Sequence, residues 1–374
     1  MKNIYLDNAS TTAMRPEVIN EMTRVLTEDY GNPSSIHSLG RKAKNKLELS
    51  RKSIAQNFNA TAQEIIFTSC GTEANNWILR SAVKDLKVKR IITSKIEHHA
   101  VLHAALVLKK EFDIQVDFVN VKPNGEIDIT HLVELLSQQT KTLVSLMHVN
   151  NEIGTVLDLD RVSLLCKEHG ALFHSDTVQS AGKTAVDLQK CTVDFIVASA
   201  HKFHGPKGVG FAFIRKNSGL QPLFFGGDQE KGLRAGTEAL HQIAGMAKAL
   251  ELSYTNIDEE RNHILGLKQY LISKLEIEFP SFKINGNIDG FYTILNVLLP
   301  FSEDKTAMIL FNLDMKGIAV SRGSACQSGS IKPSHVLKEI LPDDELKRPS
   351  LRISFSYHNT RQDIDALINA LSTI

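Results

Sequence analysis

Short runs rich in β-branched and aromatic residues alternate along this chain with longer stretches of helical period, and that alternation restricts the fold more than any other feature. The runs are EIIFTS (64–69), RIITSK (90–95), QVDFVNV (115–121), TLVSLMHV (142–149), ALFHSD (171–176), DFIVASA (194–200) and GVGFAFI (208–214). Between them EANNWILRSAVKDL, VLHAALVLKKEF and DLDRVSLLCKEHG repeat apolar residues every three or four positions. The runs are continuously apolar, as strands covered by helices on both faces are, so the pattern predicts an α/β fold around a mostly parallel central sheet. Ligands of such sheets gather beyond the carboxyl ends of the strands. From about Glu251 the pattern changes: a polar helical segment, ELSYTNIDEERNHILGLKQYLISKL, leads into FKINGN, YTILNVLLP and LRISFSY. That change predicts a large domain over 13–255 and a smaller α+β domain over 256–374 joined by residues 1–12, a division in keeping with 374 residues.

Charge narrows the function classes. Lys and Arg number 43 against 42 Asp and Glu, a net charge of +1 that offers no whole-molecule field for nucleic acid or an anionic membrane. Small molecules and proteins are the expected partners. Cys70, Cys166, Cys191 and Cys326 are too few and too scattered for a disulfide framework and form no CxxC pair, which fits a reducing cytoplasm. No basic segment followed by an apolar run opens the chain, and no apolar stretch approaches eighteen residues, so a cytoplasmic protein without membrane attachment is expected.

Three segments at strand ends carry candidate chemistry. In TSCGTEANN (68–76) a strand ends, Gly71 permits a turn and Thr72 starts a helix with Glu73 in its first turn. Free N–H groups and the helix dipole would seat a phosphate there, although capping by Thr72 explains the same residues. In SAHKFHGPKGVG (199–210) Lys202 follows an apolar strand between His201 and His204. An amine half-buried beside cations is suited to a Schiff base; a lysine reaching off a strand end to solvent is the plainer alternative. The two histidines lack a third partner at metal spacing, so no metal is expected. In HSDTVQSAGK (174–183) Asp176 ends a strand with Gln179 three residues on. It is placed either to meet a protonated ring nitrogen or to cap a helix.

With these segments in order, the chain resembles the cysteine desulfurases, pyridoxal phosphate enzymes of the aspartate aminotransferase-like fold. The resemblance runs nearly end to end through YLDNASTT (5–12), GNPSSIHSLGR (31–41), TSCGTEANN, EHHAVL (97–102), HVNNEIGT (148–155), HSDTVQSAGK, SAHKFHGPKG, GLRAGTEAL (232–240) and SRGSAC (321–326). It implies that Lys202 holds pyridoxal 5'-phosphate, Asp176 pairs with the ring nitrogen and Gln179 meets the ring hydroxyl. His98 would stack on the ring and assist proton transfer, while Gly71, Thr72, Ser199 and His201 would hold the phosphate. Thr237 would reach the phosphate of a neighbouring subunit in a homodimer. Asn151 and Arg352 would grip the carboxylate of the substrate, L-cysteine, Arg352 by a two-pronged contact.

The resemblance also explains Cys326, which sits among glycines and serines. It would attack the substrate sulfur and carry it as a persulfide to an acceptor, an iron–sulfur scaffold or tRNA-thiolation protein, and its Gly and Ser flanks suit a thiol that must travel. Cys166, on a helical apolar face, Cys191, before a strand, and Cys70 read as packing residues. Arg322 and Cys70 stand where the family commonly has small residues; Arg322 either lowers the Cys326 pKa or faces solvent. Rival readings are a selenocysteine lyase or another pyridoxal enzyme of the same fold, a non-catalytic descendant, and a thiol hydrolase pairing Cys326 with His335. An aminotransferase has no use for Cys326, and a non-catalytic descendant would be expected to lack Lys202 or Cys326.

Overall fold

The computed structural model of the protein describes residues 3–323 and 334–374. The apolar runs build a seven-stranded sheet in the order Ile65–Thr68, Gly210–Ile214, Phe195–Ser199, Leu172–Asp176, Thr142–Ser145, Arg90–Thr93 and Gln115–Phe118. Gly210–Ile214 opposes both of its neighbours, and the other strands run one way. The observed strands are shorter than the runs because the run ends leave the sheet: TLVSLMHV is a strand only over Thr142–Ser145 and QVDFVNV only over Gln115–Phe118. Of those departing residues, Met147 reaches the ligand side of the sheet.

Both faces of the sheet are covered, which is why its strands read as unbroken apolar runs. Along Phe195–Ser199, Ile196 and Ala198 enter one core with the helices Pro16–Glu28, Ser38–Asn57 and Leu240–Thr255. Phe195 and Val197 enter the other, against Gly71–Lys84 and His99–Phe112. A third core gathers Leu6 and Ala9 with residues of Ile257–Glu278, Arg361–Leu371 and a three-stranded antiparallel sheet of Ser350–Ser354, Ile294–Leu298 and Lys283–Ile284. The segment beginning at Glu251 is two helices, Leu240–Thr255 and Ile257–Glu278, broken at Asn256.

The N-terminal residues cross between these cores. Ile4–Tyr5 pairs in parallel with Ile318–Ala319, and Thr12 N–H then donates to the His201 carbonyl at 2.9 Å. Residues 5–12 therefore bridge the C-terminal core and the end of the strand that delivers Lys202. No helix among the described residues is long and apolar enough to cross a membrane.

Candidate active site

A cavity of about 240 Å³ opens beyond the carboxyl ends of the parallel strands. Its lining includes Gly71, Thr72, His98, Asn151, Asp176, Gln179, Ser199, His201, Lys202 and Arg352, each a residue singled out in the sequence, together with Ala9, Ser10, Cys70, Asn75, Met147 and Val178. Thr237 is exposed and lies outside this cavity of its own chain. Cys326 lies outside the described residues.

The strand Leu172–Asp176 delivers a buried carboxyl to the cavity. One Asp176 oxygen accepts from Asn75 Nδ2 at 2.7 Å and the other from the Val178 N–H at 3.0 Å. Two donors hold its orientation. Lys202 closes a single helical turn after the strand Phe195–Ser199, and its Nζ donates to the carbonyls of Ala9 and Ser10 at 2.6 and 2.8 Å. Gln179 Nε2 donates to the same Ala9 carbonyl at 2.8 Å.

His98 precedes the helix His99–Phe112 and caps it, its Nδ1 accepting from the Ala100 N–H at 3.1 Å. That acceptor role places the proton of the neutral ring on Nε2. Burial, with Lys202 and neighbouring histidines adding to it, lowers the His98 pKa against the pull of Asp176, so the ring is neutral near pH 7. His201 is lowered to about 4 by burial and then by Lys202, Lys207 and Lys183. Next to His98, the buried Glu97 is raised well above the carboxylate range by desolvation; one oxygen accepts from the Met147 N–H and the other has no partner.

The helix carrying the anion seat begins one residue earlier than the sequence suggests. It spans Gly71–Lys84, with Cys70 at the cap position and no side-chain capping bond, so the structure does not use Thr72 as a cap. The amides of its first turn are left to the cavity. A side chain at 71 would place Cβ 2.7 Å from Val178 Cγ2, so glycine keeps the backbone close to the cavity wall. Glu73 is turned away, accepting from Ser69 N–H at 2.8 Å and pairing with Arg234 at 3.0 Å.

Arg352 is 1% exposed and comes from the central residue of the strand Ser350–Ser354. Nη1 donates to the Asn151 carbonyl at 2.9 Å, and Nη2 donates to Asp7 Oδ1 at 2.8 Å and Ser10 Oγ at 2.7 Å. Nε is buried without a partner. Arg352 thus meets the cavity already oriented by the N-terminal segment. Arg322 is half-buried, and its Nε has no partner among the described residues. Cys166 and Cys191 are buried, whereas Cys70 lines the cavity. Among the described residues no cluster of His, Cys, Asp or Glu is placed to hold a metal ion.

Sequence reasoning missed Asn75, Asp7 and Ser10. Asn75 left a local trace: it lies one helical turn beyond Gly71 and is buried among the apolar residues of its helix. Asp7 and Ser10 lie in the quoted segment YLDNASTT, but their meeting with Arg352, across 345 and 342 residues, left no local trace.

Residues 4–367 match the family model for class-V aminotransferases. The cysteine desulfurase IscS of Clostridium botulinum (strain Kyoto / Type A2) is 41% identical over 376 residues, covering 100% of this chain and 94% of the relative. A solved NifS-like protein superposes with a TM-score of 0.91 at 33% identity, covering 100% of this chain and 99% of its own. A solved structure of SspA in complex with cysteine superposes with a TM-score of 0.81 at 30% identity, covering 96% of this chain and 100% of its own.

Proposed function

The chain belongs to the class-V aminotransferases and is a cysteine desulfurase, and on that premise we propose that it binds pyridoxal 5'-phosphate around Lys202, takes sulfur from L-cysteine and receives it on Cys326. The observation that carries this reading is the convergence of Lys202, Asp176 and His98 on one cavity that also contains an uncapped helix N-terminus.

The residues present fit the cofactor. Asn75 Oδ1 and Gln179 Oε1 are buried in the cavity wall without partners, polar atoms that a ligand with polar ring substituents would satisfy. The first-turn amides after Cys70, with the hydroxyls of Thr72 and Ser199 and the His201 ring, form a donor set suited to a phosphate. Pyridoxal phosphate supplies an electron sink that stabilises negative charge at the substrate carbons.

Lys202 would hold the cofactor and, once displaced by the substrate amine, move the α-proton. The Asp176 carboxylate, fixed by Asn75 and Val178, would accept the ring N–H and keep that nitrogen protonated. Gln179 would meet the ring hydroxyl, and His98 would lie against the ring face with its Nε2–H available as a donor. Arg352, prepositioned by Asp7 and Ser10, would take the substrate carboxylate with Asn151 through its remaining donors. The Cys326 thiolate would attack the substrate Sγ. A sulfur–sulfur bond forms as the Cβ–Sγ bond breaks, the electron pair stays with the substrate, and a proton delivered to Cβ completes alanine.

Thr237 would complete the phosphate site of a second copy in a homodimer. The exposed Phe224, which lies against Arg234 of the same segment, and the exposed Phe225 are apolar surface that such a copy would cover. The Cys326 persulfide would then pass to an acceptor protein of iron–sulfur assembly or tRNA thiolation in the cytoplasm. The test is the product balance: protein loaded with pyridoxal phosphate and given L-cysteine and a reductant should form alanine and sulfide in equal amounts. Alanine formed without sulfide, or no reaction with L-cysteine, would refute the reading.

A further inference from the structure

The segment HSDTVQSAGK ends in Lys183, which does not line the reaction cavity. It lines a second cavity, of about 610 Å³, that shares no lining residue with the first. One wall is the helix Ile257–Glu278, where Arg261, Leu265, Lys268 and Ile272 recur every three or four residues and so share a face. Lys183 and His148 come from the lobe built on the seven-stranded sheet. Tyr292, also in the lining, ties the two sides together, its hydroxyl donating to the Lys183 carbonyl at 3.0 Å. The cavity therefore lies between the lobes.

Lys183, Arg261 and Lys268 bring three cations to it, and among the described residues none of the three forms an ion pair. Lys268 is 2% exposed, and its Nζ donates to the carbonyls of Gly290 and Phe291 at 3.0 and 3.4 Å, which leaves a third N–H for another acceptor. Arg261 lies 6.0 Å from the centre of the Tyr292 ring, and its guanidinium has no hydrogen-bond acceptor among the described residues. The Lys183 amine has none there either. Burial lowers Lys268 to about 8 against the pull of Asp289, and burial, with Lys202 adding to it, lowers Lys183 to about 7. An anion bound beside these amines would favour their charged forms.

The carboxyls that line the cavity do not fill that place. Glu276 and Asp289 are exposed, and neither pairs with any of the three cations. His148, kept neutral by burial, adds a hydrogen-bonding ring and no charge. Burying amines away from carboxylates is costly, and an anionic ligand offsets that cost. The volume is in the range of small-molecule sites, about 300–1,000 Å³. Arg261 and Lys268 are rooted roughly 10 Å apart along the helix, with Leu265 between them. That spacing suits an organic molecule with two anionic groups and an apolar body better than a single small ion.

We propose that the cavity between the lobes is a binding site for an organic polyanion, a phosphate ester or a polycarboxylate, held by Lys183, Arg261 and Lys268. The site is separate from sulfur transfer, since none of these three residues lies in the reaction cavity.

The test titrates the cofactor-loaded full chain by calorimetry with fructose 1,6-bisphosphate and with citrate, against sodium chloride at matched ionic strength. At least one probe should bind once per chain with a Kd below about 1 mM and raise the melting temperature. Binding of the bisphosphate alone would identify a phosphate ester as the ligand class, and binding of citrate alone a polycarboxylate. Lys183→Met, Lys268→Met and Arg261→Gln should each weaken that binding about tenfold or more, the loss expected for one charged hydrogen bond. Binding of neither probe would overturn the proposal. Binding unchanged in Lys268→Met or in Arg261→Gln would overturn it as well, by placing the anion elsewhere. If Lys268→Met does not fold, Arg261→Gln, at an exposed position, decides the matter alone.

Discussion

At the scale of the residue, the site depends on polar groups whose orientation is set before any ligand arrives. Asp176 shows this: Asn75 and the Val178 amide occupy one oxygen each, leaving a carboxylate that can accept but cannot rotate. Asp176→Asn keeps the volume and removes the charge. The variant should bind pyridoxal phosphate yet lose activity by about a hundredfold or more, because a neutral amide cannot hold the ring nitrogen protonated. Steady-state turnover alongside the visible absorption of the bound cofactor measures this, and unchanged turnover would remove Asp176 from its role. Asp176 and Lys202 were legible in the sequence because each is a polar residue at the end of an apolar run, where a strand reaches the ligand side. Arg352 was harder to place. Arg352 stands out only as a charge within a strand, and what orients it arrives from the opposite end of the chain.

At the scale of the element, one buried ion pair holds the segment that carries Thr237. Arg51 on the helix Ser38–Asn57 meets Glu230 through two contacts, at 2.6 and 2.8 Å, and Glu230 also accepts from the Phe67 N–H at 2.7 Å. Arg51 and Glu230 are 2% and 4% exposed. Glu230 adopts φ 47°, a left-handed backbone that a non-glycine residue keeps only where its surroundings demand it. Glu230→Ala leaves the buried Arg51 with the half-exposed Glu48, at 3.2 Å, as its charged partner, and should cost up to about 3–5 kcal/mol in denaturant unfolding. A loss below about 1 kcal/mol would mean that Glu48 or water compensates the Arg51 charge. The helices and strands themselves were legible because covered strands are continuously apolar and their helices repeat every three to four residues. The break at Asn256 was not, since the residues on either side of it keep a helical pattern. The uncapped start of Gly71–Lys84 was misjudged for a related reason: Thr72 has the right chemistry for a cap, but the preceding cysteine occupies that place.

At the scale of the whole molecule, the interior holds histidines that folding keeps neutral. Burial lowers His148 to about 4, and His174 and His204 to about 3, from an ordinary value of 6.5. Below pH 6.5 the unfolded chain binds protons that the folded chain refuses, so the stability due to these groups is complete above that value and is lost as pH falls. Glu97, Asp194, Glu238 and Glu260, raised by burial, act in the opposite sense, but burial also lowers His98, His99, His201 and His358. The melting temperature should therefore fall by on the order of 5–10 °C between about pH 7.5 and about pH 5, read by calorimetry or circular dichroism. An unchanged or rising melting temperature over that interval would show that the histidines are hydrated in solution. Neither this dependence nor the way residues 5–12 link the cores is visible in any local stretch, because both arise from burial created by distant segments.

The central claim is that the cavity around Lys202 passes sulfur from L-cysteine to Cys326. Its most direct test is the intact mass of the pyridoxal phosphate-loaded protein after brief exposure to L-cysteine without reductant, followed by peptide mapping. The account predicts the gain of one sulfur atom on Cys326, absent from Cys326→Ser. Alanine formation with no sulfur on Cys326, or with the added sulfur on Cys70, would contradict it.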